Sequence, residues 1–182
     1  MQFHIGENVI YPPYGIAVVV NITERYFGSD SERCYQLRVC YKNINAIVPA
    51  HSAREVGLRK LAKHVDAKRV LSFLASNTFP TCADWKTRVR ENGIRLQSGD
   101  LLKAAEVFKG LMLVGDQKAL TAIERPMLEG ARRLVASEIS AVSKITEADA
   151  VTLMEKAVQR ALRRCSSSSD RKPALKDSMA HA

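Results

Sequence analysis

The hydrophobic period of the chain changes once. Over roughly the first 60 residues, apolar positions alternate or fall in short β-branched runs: Val9-Ile10-Tyr11, Ile16 to Ile22, Tyr35 to Val39 and Ile44 to Val48. Pro12-Pro13-Tyr14-Gly15, Gly28-Ser29-Asp30 and Lys42-Asn43 separate them, and such residues preset φ or accept positive φ in reversals. Four or five strands so spaced predict a small antiparallel barrel. Alternation puts Tyr35, Leu37 and Val39 on its core face and Gln36 and Arg38 on the other.

From about Val65 the period becomes 3.6. Asp66 is placed to cap a helix through Asn77, with Val70, Phe73 and Leu74 as its stripe, and Phe79-Pro80 ends it. Thr81 with Asp84 reads as a capping box that puts Trp85 in the first turn of the next helix, whose buried seam is Val89, Gly93 and Leu96. Ser98-Gly99-Asp100 is a stop and a new cap before Leu101, Ala104, Ala105, Phe108, Leu111 and Met112. Thr121 with Glu124 and Thr146 with Asp149 open two further helices, the first mildly kinked at Pro126. Short connections predict a compact antiparallel bundle. The fold class is therefore α+β, a barrel over 1–58 and an all-helical domain over 59–165, with the serine-rich 166–182 expected to be disordered.

Charge separates the two parts more sharply than composition does. Residues 1–58 carry five basic and five acidic side chains, whereas 59–165 carry 20 basic against 12 acidic. A neutral module joined to a basic one suggests two partners, the basic one facing nucleic acid or another polyanion. Its focus is Asp84 to Asp100, where the only tryptophan stands before Lys86, Arg88 and Arg90. An aromatic wedge beside phosphate-binding cations is what pressing on a base step requires; the plain alternative is a core tryptophan.

Other chemistry is thin. Cys34, Cys40, Cys82 and Cys165 form no CxxC and the four histidines do not gather near them, so no metal, disulfide framework or cofactor is expected. No nucleophile elbow or phosphate loop supports an enzyme. The longest apolar run, Ile16 to Val20, is too short to span a bilayer, and the first six residues do not resemble a signal peptide, so a cytoplasmic location away from membranes is expected.

The segments FHIGENVIYPPYGIAVV, IVPAHSAREVGLRK, DWKTRVRENGIRLQSGDLLKAAEVFKGL and ERPMLEGARRLVASE, in this order, resemble the CarD family of bacterial transcription regulators in its short CdnL form, over about Met1 to Leu162. The first part is also similar to the polymerase-interaction domain of the transcription-repair coupling factor. The resemblance implies a Tudor-like barrel that binds the RNA polymerase β subunit and a helical domain facing promoter DNA at the upstream edge of the bubble. Trp85 matches the family's minor-groove wedge, and Lys86, Arg88 and Arg90 its basic neighbours; Arg132 and Arg133 are further candidates. Arg25 matches a basic position at the polymerase contact. A second such position is Ile47 here, which implies apolar packing instead. The expected protein is a monomer that stabilises the open promoter complex, bacterial and nucleoid-associated through polymerase. A DNA-organising protein acting without polymerase and a polymerase-tethered adaptor remain the alternatives.

Overall fold

The computed structural model describes residues 2–12, 14–27, 30–40, 43–79 and 84–169. The first module is one antiparallel sheet of β1 (Asn8–Tyr11), β2 (Gly15–Phe27), β3 (Asp30–Val39), β4 (Ile44–Pro49) and β5 (Arg59–Lys60), in the order β4-β3-β2-β1-β5. The β1–β2 reversal closes with Tyr14 N–H donating to the Tyr11 carbonyl at 2.8 Å, and Gly15 takes φ of +86°. Pro13 lies outside the described residues. Tyr35, Leu37 and Val39 are buried with Phe3, Val9 and Val19, as alternation requires. The β2–β3 hairpin is longer than the apolar pattern indicates: register continues from Ile22↔Tyr35 out to Phe27↔Asp30, with an irregularity between Val19 and Asn21. That outer arm is mostly polar, with Tyr26 and Phe27 adjacent at its tip, so no regular hydrophobic alternation marks it.

The helices are α1 (His64–Ala75), α2 (Trp85–Gln97), α3 (Leu101–Gln117), α4 (Glu124–Ser143) and α5 (Glu147–Ser169). Central α3 buries Leu101, Ala104, Ala105, Phe108 and Leu111 against α4 residues Ala131, Leu134, Val135 and Ile139. Gly99 at φ +70° and the Asp100 cap, which accepts from Lys103 N–H, turn the chain from α2 into α3. Thr121 and Glu124 bond reciprocally, as do Thr146 and Asp149.

Several boundaries differ from expectation. α1 starts at His64, because Asp66 sits one turn in and its carboxylate accepts from the backbone of Lys63. Asp84 is itself the cap of α2, accepting from Lys86 and Thr87 N–H; Thr81 lies outside the described residues. Pro126 occupies the third position of an unbroken α4, where a helix has no use for its N–H. Arg59 and Lys60 belong to the sheet, two residues past the expected boundary at Leu58. α5 continues through Ser166–Ser169, since extending an established helix is far easier than starting one; the rest of the expected disordered tail lies outside the described residues.

The modules are clasped together. β1 is buried on both faces, Val9 in the sheet core and Ile10 in the helical core. Glu138 of α4, fully buried, accepts both terminal nitrogens of Arg59 at 2.5 and 2.7 Å and Ala62 N–H at 2.6 Å. Arg59 Nε also donates to the Gly99 carbonyl. Beside it, a Cβ on Gly99 would stand 2.8 Å from both the Gly57 carbonyl oxygen and Pro12. Only glycine permits that approach of the α2–α3 corner to the first module.

Candidate nucleic-acid interface

Trp85 is the first residue of α2, immediately after the Asp84 cap. Its side chain points out of the fold: the residue is 45% exposed, far more than a core tryptophan. Hydrogen bonds from Thr87 and Lys86 hold the Asp84 carboxyl below its ordinary range, so the cap stays ionised at the positive end of the helix. Lys86 Nζ lies 5.8 Å from the indole centroid. Lys86 and Arg90, four residues apart, are both exposed on one face, with Ile94 continuing the stripe at 62% exposure.

Arg88 does not join them. A step of two residues rotates it about 200° from Lys86, onto the inner side of the helix. There it is only 7% exposed, with Nε 2.8 Å and Nη2 2.5 Å from Glu124 Oε1. The other Glu124 oxygen accepts Thr121 N–H and hydroxyl at 3.0 and 2.9 Å. Burial pushes the Glu124 carboxyl up, but the bonds from Thr121 and Arg88 outweigh it and leave it below its ordinary value. Arg88 and Asn92, not Val89, Gly93 and Leu96, are thus the innermost residues of α2. The expected seam was apolar, whereas the observed one is polar because α4 presents a carboxylate. Helical spacing distinguishes Arg88 from Lys86 and Arg90; the Glu124 partner is visible only in three dimensions.

The second pair of candidates lies elsewhere. Arg132 bridges Glu129 at 3.0 Å and Glu155 at 3.2 Å, tying α4 to α5. Arg133 is half-buried in a depression of about 320 Å³ between α4 and the sheet, beside Tyr14, Ile16 and Ser137. Neither shares the outer stripe of α2.

Arg25 and Ile47 lie on the sheet. Arg25 is opposite Glu32 and Ile47 opposite Gln36, so parity along β3 puts both on the face away from Tyr35 and Leu37. Arg25 is exposed, and Ile47, 43% exposed, is on the edge strand β4.

Lys109 was not distinguishable from a surface lysine in the sequence. It is fully buried, donating to the carbonyls of Phe73 and Ser76 at 2.7 and 2.8 Å between the rings of Phe73 and Phe79. It thereby caps α1 where the chain departs towards Trp85. Among the described residues, no cluster of three His, Cys, Asp or Glu could hold a metal ion, and no helix is long and apolar enough to cross a membrane.

Two family models match the chain, one described as the CarD-like/TRCF RID domain over residues 3–62, the other as the CarD C-terminal domain over residues 69–155. A Bacillus subtilis (strain 168) protein, provisionally named transcription factor YdeB, is 27% identical over 146 residues, covering 80% of this chain and 95% of that protein.

Proposed function

The chain belongs to the CarD family of transcription factors, and from that premise we propose that it binds the RNA polymerase β subunit and stabilises the open promoter complex. The sheet module docks on polymerase through the outer face bearing Arg25 and Ile47. The helical module places Trp85 in the minor groove at the upstream edge of the bubble, and Lys86 and Arg90 hold phosphates there. Arg88 acts from inside, fixing the first turn of α2 to the start of α4 and so holding the wedge. Arg132 and Arg133 have structural roles in this reading. The protein acts as a monomer in the cytoplasm, without a catalytic step.

The observation that carries the reading is a half-exposed tryptophan at a capped, ion-paired helix start, flanked by two exposed cations. A wedge and phosphate contacts supplying ~1–3 kcal/mol would lengthen the open state roughly 5- to 150-fold. No base readout is needed, and tethering to polymerase compensates for a weak DNA surface. The test is the lifetime of open complexes formed by the cognate polymerase with no added protein, the wild type and Trp85→Ala. Lengthening by the wild type that is largely lost in a folded, polymerase-binding Trp85→Ala supports the wedge. Equal action of both proteins rejects it, and no effect from either returns the DNA-organising or adaptor role.

A further inference from the structure

The outer face of the sheet holds a carboxylate between two candidate partners, and it bonds only one of them. On the β2–β3 arm, Arg25 stands directly across from Glu32. On the other side of Glu32, the chain leaving β4 keeps pace with β3: Cys34 pairs with Pro49, and Ala50 N–H donates to the Arg33 carbonyl at 2.8 Å. The next step brings His51 level with Glu32, so Arg25, Glu32 and His51 form one row across three segments. Glu32 has the parity of Gln36 along β3, which puts this row on the same outer face as Ile47.

Within the row the bonds are one-sided. The Glu32 carboxylate accepts from the His51 backbone N–H at 3.5 Å and from the ring Nδ1, both through Oε1. The Arg25 guanidinium is exposed and has no hydrogen-bond or ion-pair partner among the described residues. Opposite charges facing each other across a ladder attract, and a Cβ separation of roughly 5 Å is well within an arginine's reach. The next two rows on this face, Thr23–Cys34–Pro49 and Asn21–Gln36–Ile47, are uncharged and offer Arg25 no other acid. A guanidinium already forked onto a carboxylate of its own sheet would have to be released before it could meet an acid of another protein. We propose that His51 is a positioning residue of the polymerase interface: by holding the Glu32 carboxylate, it leaves Arg25 free to pair with a carboxylate on the polymerase surface. The inference rests on the reading of this face as the docking surface. It adds why Arg25 is available there and what chemistry it meets.

The test is equilibrium binding of the full chain to the cognate RNA polymerase at one fixed salt concentration, with every variant checked by thermal denaturation. Arg25→Ala should weaken binding. His51→Ala should weaken it about two- to fivefold, the range of one exposed ion pair, because Glu32 then turns to Arg25. Adding Glu32→Gln to His51→Ala should restore wild-type affinity, since a neutral amide does not hold the guanidinium; a histidine that only supported its loop would show no such restoration. Wild-type affinity in His51→Ala overturns the inference. Weakening that Glu32→Gln does not restore also overturns it, and assigns His51 either a direct contact with polymerase or a purely structural role. Wild-type affinity in Arg25→Ala rejects the docking reading and the inference with it, whereas the first two failures leave that reading standing.

Discussion

Arg88 and Arg90 are chemically alike and two residues apart, yet their surroundings give them opposite roles. A guanidinium at 7% exposure is stabilised by the Glu124 carboxylate that faces it at 2.5 Å. Arg88→Ala would leave that carboxylate buried with Thr121 alone, so stability should fall by about 3–5 kcal/mol. Arg90→Ala should stay within ~0.5 kcal/mol of wild type while weakening duplex binding. Urea unfolding of both variants separates the roles, and equal midpoints would contradict them. The same pair carries a pH dependence. Glu124 titrates in the folded state below its ordinary 4.5, so its contribution is fully present above that value and is lost as pH falls through the depressed one. The melting temperature should therefore drop on acidification below about pH 4.5, and less steeply in Glu124→Gln, which starts lower at pH 7. The basic character of α2 was legible in the sequence, and helical spacing sets Arg88 apart from Lys86 and Arg90; its partner was not legible, because it is a carboxylate 36 residues away in another helix.

Three helix starts were plainly legible, since caps are local, whereas the α1 start and the boundary at Leu58 were not. Gly99-Asp100, Thr121/Glu124 and Thr146/Asp149 each make the bonds that their spacing implies. The β2–β3 arm was not legible, because backbone register sustains a strand there without apolar alternation. Nor could spacing show that Gly99 does more than end a helix. Its positive φ alone disfavours a side chain, and a Cβ 2.8 Å from the Gly57 carbonyl and Pro12 would force the α2–α3 corner off the first module. Gly99→Ala should therefore cost about 2–4 kcal/mol, the sum of left-handed strain and overpacking. Gly130→Ala, with nothing within 4 Å of its Cβ and in mid-helix, should be neutral or slightly stabilising. Comparing their denaturation midpoints tests the close approach itself, because helix propensity favours alanine at Gly130.

At the scale of the whole molecule, the proposed function requires two surfaces, one on each module, to meet their partners at once. The charge division between the modules is plain in the sequence, but the joint that sets their geometry is not, as it is formed by Arg59 and Glu138, 79 residues apart. Glu138 is buried and depends on Arg59 for two of its bonds, with Ala62 N–H supplying a third. Arg59→Ala strands that carboxylate and should cost about 3–5 kcal/mol, concentrated at the joint. Calorimetry should then show the single cooperative transition broadening or splitting as the sheet and helical cores lose their coupling. Tethering helps only while the linked geometry lets both sites engage. Below its melting range, Arg59→Ala should therefore retain polymerase capture by the sheet module and duplex binding by the helical module, yet lengthen open complexes less than wild type does. If it lengthens them fully despite a split transition, the geometry of the joint is dispensable and the two modules need only be connected.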